Sequence, residues 1–502
     1  MIARLAALAL AAALAGCAAP RPGVDADLGS QAPQVSECAR WYRVLDDAVD
    51  AARVRDAQYT RIEGFPYLRV DRLLAALAPR ARSSAAAFDA YAERLLARDL
   101  ESRAHEIANL PREAIPAVSG AAEDERRAAA FARTQSCGRL LRELDLAKPG
   151  TREALLAKAQ VPDDYSDVAR AVGLYPLSRV VFARGVRRWE DEAKASFAAP
   201  APQAGVVRYA PENSSPPLKR AAAAALIGRA ELDPLGVPVL SERELAQFAA
   251  AYAPSVEIAI AGDADRFGAL RWTRTQDAPV VDAAEPVAYV QQAHVRYGDR
   301  ILLQLVYTLW FPERPPGHEG DLLAGRLDGL VWRVTVAPDG EPLLYDSIHP
   351  CGCYHEFFPT PRARPLPAPD PLEEWAFSPL ALPRVAEGER PVLRLASGTH
   401  YLQAVAITRD AESVVRYGLR DYDELRSLPR PDGSRRSVFG PDGLIAGSER
   451  GERFLFWPMG IRSAGAMRQS GRQATAFVGR RHFDDADLLE KRFVLDLAGH
   501  SP

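Results

Sequence analysis

Signatures of a specific chemistry are missing from this sequence. Its 502 residues contain no Gly-x-Ser-x-Gly elbow, no phosphate-binding Walker loop, no dinucleotide-binding glycine pattern and no His-Glu-x-x-His. Serine hydrolase, nucleotide hydrolase and zincin readings therefore have no motif behind them. Excess positive charge is missing too: the formal net charge is −3 and the isoelectric point is near 6.3. That argues against a nucleic-acid partner. No internal repeat occurs at the period of a solenoid or propeller. Beyond the amino terminus, no apolar run is long enough to cross a bilayer. The most apolar one, residues 301–311, has about half the length of a span and carries Gln304 and Thr308. Cysteine and histidine are scarce, at five and eight residues, so a place where they gather stands out.

What is present begins with an address. Met1-Ile2-Ala3-Arg4 precedes an apolar run from Leu5 to Leu14 and then Ala15-Gly16-Cys17. A positive start, a short apolar stretch and small residues before a cut form a secretory signal. Leu14-Ala15-Gly16-Cys17 resembles the lipobox of bacterial lipoproteins. The resemblance implies cleavage before Cys17 and acylation of that cysteine. With Ala at position 18 rather than Asp, it also implies sorting to the outer membrane, facing the periplasm. Acyl chains anchor because each buried methylene contributes about 0.8 kcal/mol. Residues 1–16 are thus the expected signal peptide. Residues 17–37 lack periodicity and are the expected tether.

An oxidising compartment gives the other cysteines a reason to pair. The simplest pairing joins Cys38 to Cys137 and Cys351 to Cys353. The first bridge closes a loop of about 100 residues, which chain-entropy reasoning values at roughly 4–5 kcal/mol.

The chain then changes texture twice. Residues 38–200 carry helical spacing, as in Trp41, Leu45, Val49 and in Phe88, Ala92, Leu95, Leu96, with Ser83 or Ser84 as an N-cap. Residues 201–254 hold a proline-rich linker and a bridging helix. That helix is opened by the capping-box pattern Ser241-Glu242-Arg243-Glu244 and stopped before Pro254. From 255 to 502, short runs rich in Val, Ile, Tyr, Trp and Phe alternate with turn clusters. The runs include residues 287–297, 301–311, 329–337, 342–349, 392–396, 401–408, 453–457 and 474–479, with Ala337-Pro338-Asp339-Gly340 as a hairpin turn. The expected fold class is α+β: an N-terminal helical domain followed by a mainly antiparallel β domain, sandwich or barrel-like.

One stretch concentrates the scarce residues: His349-Pro350-Cys351-Gly352-Cys353-Tyr354-His355. In an extended strand the two histidines and two cysteines face one side, but the ends lie about 20 Å apart, too far for one ion. A bend at Pro350 or Gly352 is needed to gather them. Three readings follow: a zinc or copper site, a labile Cys351–Cys353 disulfide with a redox role, or structural cysteines with packing histidines.

Upstream, Gly317-His318-Glu319-Gly320-Asp321 follows an apolar strand. This order resembles the metal loop of necrosis-inducing-type β-sandwich proteins, Gly-His-x-x-Asp followed by Trp-Glu. Here Leu322 and Leu323 stand in place of Trp-Glu, so one implied ligand is absent. If the two stretches meet, His318, Asp321, His349 and His355 form a candidate metal site. Downstream, Arg468, Arg472 and Arg481 form a candidate anion site, because several arginines can hold a phosphate or carboxylate. The function expected from all this is an outer-membrane-anchored binding or structural envelope protein. Its expected partners are the membrane, through the lipid, and an envelope protein or small ligand, with no nucleic acid. A metal-dependent hydrolase and a thiol–disulfide protein are the alternatives.

Overall fold

The structure is a computed structural model and describes residues 33–199, 205–212, 218–409 and 415–499. Cys17, and with it the expected lipidation, lies outside the described residues.

The amino-terminal half is helical, as expected. Helices α1 (Pro33–Ala51), α2 (Arg72–Ala81), α3 (Ala85–Asn109), α4 (Arg126–Asp145) and α5 (Pro149–Lys158) pack around one hairpin, Thr60–Ile62 with Phe65–Val70. Ser84 caps α3, its hydroxyl accepting from Ala87 N at 3.1 Å. The apolar rows of α1 and α3, including Leu45, Val49, Phe88, Leu95 and Leu96, close over the hairpin's Tyr67 and Leu68. Each such side chain contributes about 1.5–3 kcal/mol when fully buried. The Cys38–Cys137 disulfide forms between α1 and α4.

Helices α6 (Asp167–Val172) and α7 (Tyr175–Ala198) fall within the stretch expected to be one helical domain, yet they leave that core. They pack on the second half of the chain. Trp189 of α7 meets Tyr354 and Phe377, and Phe197 meets Phe358. Two further helices, α8 (Arg220–Gly228) and α9 (Glu242–Tyr252), follow in the chain and bury Ala223, Ile227, Phe248 and Ala249 in the core of the second half. The capping box forms at Ser241 and Glu244 as the sequence implied, and the helix stops before Pro254.

The second half is built on one large sheet. Its ten strands, numbered in chain order, are β1 (Val206–Pro211), β2 (Ser255–Ala259), β3 (Val287–Tyr297), β4 (Arg300–Arg314), β5 (Gly325–Val336), β6 (Pro342–Ile348), β7 (Glu356–Pro359), β8 (Arg390–Leu395), β9 (Leu402–Thr408) and β10 (Val415–Asp421). Their spatial order is β7-β6-β5-β4-β3-β10-β1-β2-β8-β9. Pairing is antiparallel except for β3–β10, β10–β1 and β2–β8. The sheet curls into a half-barrel, so that both its edges face one cavity: Glu356 of β7 and Leu402 and Gln403 of β9 line it together. Strands β4 and β5 are buried on both faces, which their near-continuous apolar runs reflect. Inside the curl lie Tyr307, Trp332, Tyr345, Phe358 and Leu393, with Phe248 of α9.

The last eighty residues wrap the outer face with little regular structure. Leu488, Leu489 and Phe493 cover Leu302, Leu344 and Phe357. Here two expected strands are absent. Residues Arg453–Phe456 form a helical turn, continued by a 3-10 turn that Pro458 and Gly460 (φ +83°) end. Residues 474–479 contribute only an isolated bridge from Ala474 to His482. Arginine side chains, not neighbouring strands, satisfy much of this backbone. Arg170 donates to the carbonyls of Met459 (2.8 Å) and Gly479 (2.7 Å).

Candidate functional site

The His-Cys stretch is a tight connection between two strands, not a strand. Strand β6 runs into it, and β7 returns antiparallel, pairing Glu356 with Ser347. His349 N donates to Cys353 O at 3.0 Å, and Gly352 N donates to His349 O at 2.8 Å. Gly352 takes φ +93°, and a Cβ there would run into the carbonyl oxygen of Ala474. Glycine is therefore required at this turn. Tyr354 is also left-handed, at φ +61°.

The bend separates the histidines instead of gathering them. Asp346 and His355 face the outer side of the sheet, and Ser347 and His349 face the inner side. On the outer side Arg333 grips Asp346 with two bonds, and His355 Nε2 lies 2.9 Å from Asp346 Oδ2. Phe357 stacks on the His355 ring and Phe483 meets it edge-on. Burial outweighs the pull of Asp346 and lowers the His355 pKa to about 3, so the ring is neutral. Its Nε2–H donates to the carboxylate, and its Nδ1 has no hydrogen-bond partner among the described residues. This is a buried structural ion network.

On the inner side His349 meets a different aspartate. Its Nδ1 lies 3.2 Å from Asp328 Oδ1, at the start of β5. The other carboxylate oxygen, Oδ2, is 2.8 Å from His400 Nδ1, and Arg450 stands 4.0 Å from Oδ1. His400 comes from the β8–β9 turn, where it takes φ +53° and stacks on Phe311. Burial opposes ionisation of Asp328, but the charges and hydrogen bonds of the two histidines win and hold its carboxyl well below the usual range. A carboxylate on Nδ1 fixes the ring and leaves Nε2 free to act. His349 Nε2 has no hydrogen-bond partner among the described residues.

His349 is part of the wall of a cavity of about 130 Å³, closed on one side by Trp189, Glu192 and Ser196 of α7. One water needs on the order of 10–15 Å³ by this kind of measure, so the space suits several waters or one small organic molecule. Its other polar walls are Tyr354, Tyr401, Thr399, Gln403 and Glu356. Tyr401 donates to Tyr354 (2.7 Å) and accepts from Arg314 (2.9 Å). Burial pushes the Glu356 carboxyl well above its usual range, with the bond to Ser347 offsetting only part of it. Burial thus favours the protonated form of Glu356. The arrangement can hold a small polar molecule between His349 Nε2 and the hydroxyl and carboxyl groups of the other walls. No described hydroxyl or thiol sits on Nε2, so the pair carries no nucleophile. A larger cleft of about 260 Å³ separates the helical region from the sheet, but its charges are spent on one another, as in Asp71–Arg98, Glu101–Arg426 and Asp484–Arg72.

Several expected site residues fall elsewhere. Cys351 and Cys353 are free thiols, so the expected bond between them is not formed. Cys353 N donates to Cys351 Sγ at 3.4 Å. The neighbouring Cys351 thiol and then burial push the Cys353 pKa well above its ordinary value, the opposite of an activated thiolate. The candidate metal site does not assemble. His318 is exposed and its Nδ1 meets Glu319 O, and Asp321 is spent on the backbone N–H groups of Gly317 and Leu323. With His349 and His355 on opposite faces, no group of three or more His, Cys, Asp or Glu side chains among the described residues is placed to hold an ion. The candidate anion site is likewise occupied from within. Arg468 donates to the carbonyls of Cys351 and Ser463, Arg472 pairs with Asp164, and Arg481 donates to Thr475 and to the carbonyls of Glu374 and Trp375.

Sequence reasoning found His349 and missed its partners. Asp328, Glu356 and His400 had one legible signal, a charged or polar residue at the edge of an apolar run, which must find a partner when buried. Comparison with known proteins adds nothing to these residues: no protein-family model, no curated protein and no solved structure matches the chain.

Proposed function

We propose that this is an outer-membrane-anchored lipoprotein, tethered to the periplasmic face through Cys17, whose half-barrel binds a small, uncharged, hydroxyl- or amide-bearing molecule. The observation that carries the reading is His349: Asp328 holds its Nδ1, and its Nε2, unpartnered among the described residues, belongs to the wall of a cavity lined by both polar and apolar side chains. Leaving such a buried atom unpaired costs about 1–3 kcal/mol, which a bound hydroxyl or amide group recovers. The Tyr354 hydroxyl, which accepts from Tyr401 and keeps its own proton, supplies a donor beside the Glu356 carboxyl, and Trp189 supplies an apolar wall.

The test is calorimetric titration of the protein against glycerol, hexoses, neutral amino acids and their amides. At least one compound is expected to bind, and His349→Ala is expected to weaken it at least tenfold, the equivalent of one hydrogen bond of about 1.4 kcal/mol. Failure of every compound at millimolar concentration, or an unchanged affinity in the variant, overturns the binding reading. Mass spectrometry of the protein from its own membranes tests the anchor separately: an acyl-modified Cys17 is expected, and an unmodified one refutes the tether alone. The hydrolase reading survives only in a metal-free form, with His349 as a base on water, because the Asp328–His349 pair is a base with its orienting carboxylate. It requires turnover that Asp328→Asn removes.

A further inference from the structure

The apolar surface that the fold leaves open is concentrated in one place. Among the described residues, seventeen large apolar side chains are well exposed, and eight of them lie together. Five belong to α6, the N-cap of α7 and its first turns: Val168, Val172, Leu174, Leu177 and Val181. Three belong to the turn that follows residue 453: Phe454, Leu455 and Trp457. All eight are between 41% and 75% exposed. They form one surface because the two segments are locked together. Ser166 N donates to Gly460 O at 2.8 Å, Gly173 sits directly on Pro458, and the rings of Phe182 and Phe456 are 5.5 Å apart.

The charge that adjoins this surface is mainly basic, with Asp191 and Glu192 entering beside Arg187 and Arg188 one turn further along α7. Leu174, Leu177 and Val181 continue at helical spacing into Arg184 and Arg188, so one row of α7 passes from apolar to basic. No Asp or Glu occurs from residue 168 to residue 189. Arg184 and Arg188 are exposed, and neither shows an ion pair with the described residues. Among the described residues, Arg187 donates to Pro371 O at 3.3 Å and forms no ion pair. Monomers rarely expose apolar patches beyond a few hundred Å² without a partner. A helix with aliphatic and aromatic residues on one side and arginines beside them has the composition of one lying at a headgroup–acyl boundary. A second copy of this chain fits less well, because an isologous contact brings the same arginines of both copies to one interface.

We propose that this face docks on an anionic phospholipid bilayer. Leu177, Val181, Phe454 and Trp457 sit at the acyl boundary, and Arg184, Arg187 and Arg188 sit among the phosphates. The contact is independent of acylation at Cys17. It also sets the cavity's orientation, since the other end of α7 supplies Trp189, Ala193 and Ser196 to the cavity wall.

The test uses the chain from position 17 onward with Cys17→Ser, so that no acyl chain contributes, in flotation with phosphatidylethanolamine–phosphatidylglycerol vesicles. Binding is expected, at least tenfold weaker on pure phosphatidylcholine and weakening with salt. The double variant Leu177→Glu/Val181→Glu is expected to lose at least tenfold. Arg184→Glu/Arg188→Glu is expected to lose as much on the anionic vesicles and to become insensitive to salt. All four positions are exposed, so an unchanged melting temperature confirms that the fold is intact. No flotation with the anionic vesicles, or equal flotation by the variants, overturns the proposal. So does a dimer in sedimentation that Leu177→Glu/Val181→Glu dissolves, because the face is then covered by a second copy.

Discussion

Replacing His482 with glutamine should remove stability below pH 8 and almost none at pH 9.5. His482 sits where the segment after α5 meets the C-terminal wrap. Its Nε2 is 3.3 Å from Asp163 and 3.7 Å from Asp164, and its Nδ1 is 3.4 Å from Asp485. Arg72, Arg472 and Arg480 share these carboxylates, and the Tyr165 ring packs edge-on. Burial disfavours the imidazolium, but the bonds to Asp163 and Asp485 overcome it and raise the pKa from 6.5 to about 9. A histidine whose folded pKa is raised stabilises the fold fully below pH 6.5, and the contribution is lost as pH climbs through 9. At about 1.4 kcal/mol per pH unit the full contribution is roughly 3 kcal/mol, leaving about 2 at pH 7.5 and a few tenths at pH 9.5. Urea unfolding of both proteins at pH 6.0, 7.5 and 9.5 measures the difference. Glutamine keeps a hydrogen-bonding group without the charge, so the gap between the proteins should close as pH rises. A gap of constant size at all three values refutes the charge argument and leaves only packing.

Two further substitutions probe how the halves and the turn are held. Arg426 is fully buried and joins Asp56 of the helical half (2.7 Å) to Asp423 (3.0 Å), with Glu101 on the same guanidinium. Arg426→Met should cost about 3–5 kcal/mol, because it strands buried carboxylates. Calorimetry should then resolve the helical half melting apart from the sheet, and a loss under 1 kcal/mol contradicts this. Gly352→Ala should cost at least about 2 kcal/mol through its positive φ and the Ala474 carbonyl, whereas Gly388→Ala, at φ +85° with open space around it, should cost only about 1. Equal melting temperatures in the two variants sink the steric explanation.

Regular elements were legible where one period dominated. Strands β3, β4, β6 and β9 lie where alternation or continuous apolar runs put them, and the Ser84 and Ser241 caps were readable because a cap is a local bond. Strands β1, β7 and β10 were not read. They are four to seven residues long, and two of them pair parallel to partners far away in sequence, so nothing local marks them. The opposite error, strands expected at 453–457 and 474–479, has the same root. Aromatic and aliphatic residues there pack against α7 and Tyr165 instead of joining a ladder. Composition reported burial correctly and its geometry wrongly.

The site was harder because its chemistry is assembled across distance. His349 and Asp328 are 21 residues apart, and Asp328 and His400 are 72 apart. Their joining depends on the curl that brings the β8–β9 turn beside the β6–β7 turn, which no spacing rule encodes. The arginines show the same limit from the other side. Arg468 and Arg481 looked like an anion site because arginines close together suit phosphate. Yet they lie in a wrap with little ladder of its own, where every buried carbonyl must still find a donor. A guanidinium offers five donors, and these two are spent on carbonyls and a threonine within hydrogen-bond reach. In an irregular, buried segment the nearest acceptor for an arginine is the backbone's own carbonyl oxygen. An arginine cluster there argues for a ligand only when its neighbours' carbonyls are already paired, as those of Arg184 and Arg188, inside a regular helix, are.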